Sequence, residues 1–145
     1  MKIPVGSDHA GFAGKEVVKS VLENLGHEPV DLGTYSDDRV DYPEFAAAVA
    51  RSVNSGEYDK GILVCGSGQG VCMTANKFEN IRAALVYDND SAALSRQHND
   101  ANIMCLPGRK LSEEELGETV KIWLDTAFEG GRHAARVAKI ASETR

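Results

Sequence analysis

Residues Gly61-Ile62-Leu63-Val64-Cys65-Gly66-Ser67-Gly68-Gln69-Gly70 set a short apolar run directly against a glycine-rich loop. Gly61–Val64 is too short for a helix, and its Ile62, Leu63 and Val64 are all branched and apolar, the mark of a strand buried on both faces. The glycines let the chain turn sharply, and Gly70–Phe78 then reads as a short helix. Strand, tight loop, helix is the repeating unit of a parallel α/β sheet. Working outward, the same alternation recurs. Lys2–Ser7 reads as a strand and Gly11–Leu25 as a helix with Val18, Val21, Leu22 and Leu25 on one face, ended by Gly26. His27–Leu32 is a second strand, and Tyr35–Asp41 a polar loop. Pro43 suits the first turn of a helix through Val53. Arg82–Tyr87 and Ala101–Leu106 are the fourth and fifth strands, with the helix Ser91–Gln97 between them. Ser112 can cap a helix to Phe128 whose Leu116, Val120, Trp123 and Leu124 form an apolar stripe. Gly130-Gly131 breaks it, and a final helix runs from about Arg132. Five strands alternating with helices imply a mostly parallel sheet covered on both faces.

Length and composition agree. The 145 residues suit one domain spanning 1–145, long enough to bury about 70% of the unfolded surface. The chain carries 22 Asp and Glu against 16 Lys and Arg, a net charge of −6. That balance repels phosphate polymers and anionic membranes, so no nucleic-acid or membrane partner is expected. It leaves room for one small anion held by a few local arginines. Met1-Lys2 leads into a strand, not a signal peptide, and no apolar run approaches the roughly 18 residues of a membrane helix. The cysteines Cys65, Cys72 and Cys105 are odd in number and fit no zinc spacing. Free thiols in a reducing cytoplasm are the expectation.

Ligands of such sheets lie beyond the carboxyl ends of the strands. After the third strand, Cys65–Gly70 can turn several backbone N–H groups toward one point, suiting an anion or a developing oxyanion, with Cys65 at its edge. The same residues also suit a tight turn with a buried cysteine. A dinucleotide fingerprint fails because Val71 stands where glycine is needed, and no Gly-Lys-Ser/Thr run exists. After the first strand, Asp8-His9 pairs a carboxylate with an imidazole, suited to proton exchange or phosphate; a capping Asp beside an incidental His reads equally well. His98 ends a helix, where its protonated form is favoured. A metal set of Asp8, His9 and His98 has no i, i+4 pair. Arg132 and Arg136 are four apart on the last helix, and Arg109 follows the fifth strand; arginine forks match phosphate oxygens. A solvated basic tail is the alternative. Cys72 and Cys105 read as packing, and Trp123 as core or subunit contact.

Taken together the chain resembles the type B ribose-5-phosphate isomerase family, which includes galactose-6-phosphate isomerase subunits. The resemblance rests on Gly6–Gly11, Asp41–Pro43, Cys65–Gly70, Ala75–Lys77, Ile81–Ala83, Ser95–Asp100 and Glu129–His133, in that order. It implies a Rossmann-like α/β/α sandwich with a five-stranded parallel sheet and a C-terminal helix. It also implies aldose–ketose isomerisation of ribose 5-phosphate in the non-oxidative pentose phosphate pathway, without metal or cofactor. Carried over, Cys65 moves the proton between C1 and C2 and Ser67 assists. His98 with Asp8 opens the ring. Gly66, Gly68, Gln69 and Gly70 hold the enediolate, Asn99 binds hydroxyls, and His9, Arg109, Arg132 and Arg136 hold phosphate. Members lacking the cysteine carry a glutamate at the position of Val71, so this chain is of the cysteine type. A homodimer, or a homotetramer, with the site between subunits is expected. A hexose-6-phosphate isomerase with the same chemistry is the alternative, and a nucleotide- or flavin-binding module is the rival from another class.

Overall fold

A computed structural model describes residues 1–144. Five strands, β1 (Lys2–Ser7), β2 (Glu28–Asp31), β3 (Gly61–Cys65), β4 (Ala83–Leu85) and β5 (Ile103–Pro107), form one sheet in the order β2-β1-β3-β5-β4. Every pairing is parallel, with Ser7 beside Val64 and Cys65 beside Pro107. The expected α/β/α sandwich is therefore present. β3 and β5 are buried along their whole length, as the unbroken apolar runs require.

The helices are α1 (Phe12–Asn24), α2 (Tyr42–Asn54), α3 (Gln69–Ala75), α4 (Asn89–Gln97), α5 (Glu113–Asp125) and α6 (Arg132–Ser142). On one face of the sheet Val18 and Leu22 of α1 and Leu116, Val120 and Trp123 of α5 pack on Ile3, Val5, Ile62 and Met104. On the other, Ala46, Val49 and Ala50 of α2 and Val71 of α3 pack on Leu63, Ile103 and Cys105. Trp123 is wholly buried and belongs to the core. No helix among the described residues is long and apolar enough to cross a membrane.

Several boundaries differ from the sequence expectation, each for a local hydrogen-bonding reason. α4 starts two residues early because Asp88 caps it: its carboxylate accepts from the Ser91 amide at 2.7 Å, and the Ser91 hydroxyl accepts from the Asp88 amide at 3.2 Å. β5 starts late because Asp100 adopts φ +47 and the Ala101 amide donates back to Ser95. α5 ends at Asp125, short of Phe128, because Thr126 turns extended and its carbonyl accepts from Arg96 Nε at 3.1 Å. α3 stops at Ala75, and the chain to Phe78 tightens into i to i+3 turns. The Ser112 cap forms as expected, its hydroxyl accepting from Glu115 at 3.1 Å.

From β1 the chain crosses to β2 on one side and later to β3 on the other. The carboxyl ends of β1 and β3 therefore flank the point where strand order reverses, and a crevice opens there. α6 lies apart from the sandwich. His133 is its only fully buried residue, although its apolar and basic residues fall on separate faces.

Candidate active site

A cavity of about 480 Å³ occupies that crevice, lined by Asp8, His9, Ala10, Tyr42, Cys65, Gly66, Ser67, Gly70, Arg109 and Lys110. Cys65 closes β3 and is 5% exposed, so the thiol is sheltered yet reaches the cavity wall. The Gly68 amide donates to its sulfur at 3.1 Å. Gly68 holds φ +77, and a Cβ there would stand 2.7 Å from Leu85 and 3.1 Å from the Leu106–Pro107 backbone. Only glycine takes that conformation at such close approach without strain. The loop is tied to the strand beside it: the Gly108 amide donates to Cys65 O at 2.8 Å, and the Arg109 amide to Gly66 O at 3.1 Å. The Arg109 side chain lies along Gly66, where a Cβ would sit 3.3 Å from its Cδ.

Asp8 and His9 enter from β1. Asp8 accepts from the Gly11 amide at 2.9 Å, which holds the carboxylate at the turn into α1. Gly11 packs on Val64, where a Cβ would fall 2.2 Å from the carbonyl oxygen. That close approach brings the ends of β1 and β3 together. The Val40 amide donates to His9 Nδ1 at 3.2 Å and fixes the ring. Lys15, buried beneath the Gly33–Thr34 turn, donates to Asp31 at 2.5 Å and to Thr34 O at 2.6 Å. It thereby anchors the loop that carries Val40 and leads into Tyr42 at the start of α2.

One chain thus gathers Asp8, His9, Cys65, Gly66, Ser67, Gly70 and Arg109. Gln69 and Gly68 do not line the cavity: the Gln69 side chain is exposed, and Gly68 turns its amide to the sulfur. His98, Asn99, Arg132 and Arg136 are not on its walls either. Asn99 borders a separate cavity of about 230 Å³ with Asn76, Arg82 and Ile140. Arg132 and Arg136 are exposed on α6. His98 ends α4 and stacks on His133, ring centroids 4.3 Å apart and planes 15° from parallel.

His98, Glu129 and His133 place one donor atom each within 4.8 Å of one another, the single such group among the described residues. Nearly parallel imidazoles aim their lone pairs in separate planes, so this arrangement suits a stack and not convergent coordination. Within one chain Asp8 and His9 do not join His98 in that group.

Other motif residues turn out to be scaffold. Asn76 makes paired hydrogen bonds with Ala83, both at 2.9 Å, docking α3 on β4. Arg96 Nη1 donates to Asp100 at 2.9 Å and to Ala101 O at 2.7 Å, and Arg82 Nε donates to Asp100 O at 2.9 Å. These bonds pin the turn just after His98 and Asn99. Cys105 is buried and its thiol is pushed well above the usual range by that burial, then by Cys72; both are packing residues, as their positions suggested. Tyr42 and Lys110 were missed. Tyr42 carried a signal, since it stands beside the helix-starting Pro43, and its ring packs against Gly70.

A family model described as Ribose/Galactose Isomerase matches residues 3–140. The chain belongs to this family. It is 45% identical over 141 residues to ribose-5-phosphate isomerase B of Escherichia coli, covering 97% of this chain and 95% of that one. The family fold is shared with a solved Clostridium thermocellum ribose-5-phosphate isomerase B at TM-score 0.96 and 45% identity, covering 99% and 97% of the two chains. A Mycoplasma genitalium ribose-5-phosphate isomerase B solved with bound ribulose 5-phosphate matches at TM-score 0.93 and 43% identity, covering 98% and 95%.

Proposed function

We infer that this chain is an aldose–ketose isomerase interconverting ribose 5-phosphate and ribulose 5-phosphate. The observation that carries the reading is the Cys65 thiol, set at the end of β3 on the wall of a cavity that also presents Arg109 and His9, in a chain of this family. Proton abstraction beside a carbonyl needs a base and a way to hold the oxygen that becomes negative. In the open-chain aldose, Cys65 as thiolate takes the proton from C2. The C–H electrons form the C1–C2 double bond, and those of the carbonyl pass to O1, giving a cis-enediolate. Ser67 relays the proton from O2 to O1, and Cys65 returns its proton to C1, leaving the ketone at C2. Loop N–H groups at Gly66 and Gly70 oppose the oxyanion, each well-placed donor being worth about 3 kcal/mol. Arg109 and His9 take the phosphate, whose distance from the reacting carbons lets it supply binding and orientation.

Ring opening needs a second acid–base set, assigned to His98 with Asp8. Asn99 binds hydroxyls, and Arg132 and Arg136 hold phosphate. Since these α4 and α6 residues are off the cavity walls of their own chain, the complete site forms between two subunits of a homodimer. The exposed arginines of α6, on a helix that buries little, support that reading.

Side-by-side kcat/KM values for ribose 5-phosphate, allose 6-phosphate and galactose 6-phosphate test the substrate. Ribose 5-phosphate should lead by at least about tenfold, the scale that pocket fit supplies. A hexose phosphate leading instead would transfer the assignment to that substrate with the chemistry unchanged.

A further inference from the structure

We propose that His133 is a positioning residue for His98, its stacked imidazole fixing the plane in which His98 exchanges protons with the cyclic sugar. The proposal rests on the ring-opening reading of His98. The two candidate histidines of the site are held in opposite ways. His9 has its Nδ1 fixed by the Val40 amide at 3.2 Å. Among the described residues neither ring nitrogen of His98 has a hydrogen-bond partner in its own chain. Both nitrogens are therefore left open by its own chain, and no hydrogen bond from that chain sets the ring's orientation. His98 also stands at the end of α4, where its amide donates to Leu94 O at 3.0 Å; that bond holds the backbone and leaves the ring free to turn. The stack, at 4.3 Å and 15°, is what remains to orient the ring.

His133 is built to serve as that platform. It is 6% exposed, the sole buried residue of α6. Its amide donates to Gly130 O at 3.0 Å, and its Nε2 lies 3.6 Å from Glu129 Oε1. The Glu129 amide donates to Gln97 O at 3.1 Å, so the start of α6 is fastened to the helix end that carries His98. Burial first, then the charges of His98, Arg132 and Arg136 with Glu129 opposing, pushes the His133 imidazole below the usual histidine range. That direction disfavours a positive charge on His133 and so favours the rings remaining stacked beside the arginines of α6. The order Gly131-Arg132-His133 also links the phosphate and ring-opening parts of the site: the first turn of α6 places an arginine and the platform on successive residues.

The test uses two substrates. Ribose 5-phosphate is cyclic and must be opened; erythrose 4-phosphate has its O4 esterified and cannot close a furanose. His133→Ala should lower kcat/KM for ribose 5-phosphate about tenfold or more, the scale of a misplaced catalytic group, and leave erythrose 4-phosphate within about twofold. His133→Phe, which keeps a flat ring, should restore most of the lost rate. In proton NMR, the His98 ring signals should carry an upfield ring-current shift that His133→Ala abolishes and His133→Phe keeps. Equal loss on both substrates, no loss on either, or unmoved His98 signals would overturn the proposal. If His133→Ala does not fold, absence of the ring-current shift in the unaltered enzyme overturns it equally. His98→Asn on the same substrates tests the ring-opening reading apart. Selective loss there with no selectivity in His133→Ala defeats the proposal alone; equal loss in His98→Asn defeats both.

Discussion

The Gly68 amide points at the Cys65 sulfur from 3.1 Å, and it can do so only because Gly68 sits at φ +77 against the Leu106–Pro107 backbone. The Cys65 sulfur and the loop N–H groups are thus parts of one tightly packed turn. Gly68→Ala should strain that turn by about 1–2 kcal/mol from conformation alone, with more from the backbone contact. The expected result is a lowered melting temperature and kcat reduced at least tenfold, checked by calorimetry and steady-state rates. Unchanged kcat would separate the loop geometry from catalysis.

Cys65→Ala removes the assigned base without adding bulk. Isomerisation should fall by about 10²–10⁴-fold, while titration calorimetry with ribose 5-phosphate should still register binding through Arg109 and His9. Turnover near that of the unaltered enzyme would remove Cys65 from its role.

The division of site residues between the cavity and α4/α6 makes a quantitative prediction. Cys65→Ala and His98→Asn should each be inactive as homodimers. Mixed in equal amounts and allowed to exchange subunits, they should recover about a quarter of full activity, since half of the dimers are mixed and each has one intact site. No recovery after verified exchange would place both residues in a site built by one chain.

Arg136→Lys preserves charge but loses the planar fork. KM for ribose 5-phosphate should rise several-fold with kcat little changed, the signature of a lost ground-state contact. Steady-state kinetics at fixed ionic strength decide it.

Lys15 and Asp31 set an acid limit on stability. Burial pushes the Asp31 carboxyl up, but Lys15, Lys19 and the Gly33 amide outweigh it and draw the group below its ordinary value of 3.8. A carboxyl held low contributes stability that is present above the unfolded value and lost as pH falls through the folded one. Urea midpoints should therefore drop below about pH 4 in the unaltered protein. Asp31→Asn should remove that part of the dependence and cost about 3 kcal/mol near neutrality, since Lys15 is left buried without its main partner.

Much of this architecture was legible in residue order. The apolar run Gly61–Val64 followed by three glycines marked β3 and its loop, Gly26 marked the end of α1, and Ser112 marked the start of α5. Each signal is local: a side chain or a missing Cβ acts on backbone within a few residues. The misread boundaries depended on distant partners. β5 begins late because of the turn held by Arg96 and Arg82, and α5 ends early because Arg96 takes the Thr126 carbonyl. The scaffold roles of Asn76 and Arg96 were hidden for the same reason, and the platform at His133 exists only once α6 meets the end of α4.

Residue order alone determined which chemistry was on hand: a cysteine on a glycine loop, a carboxylate beside an imidazole, a histidine at a helix end, and arginines spaced for phosphate in a chain with a net charge of −6. Tertiary structure decided which of these groups meet. The crossover that places β1 beside β3 brings Asp8 and His9 to Cys65 from more than fifty residues away, a juxtaposition no local pattern encodes. The same topology keeps His98 and the α6 arginines off that cavity. Spacing along a helix reports which residues share a face; only the packed sheet reports which faces share a site.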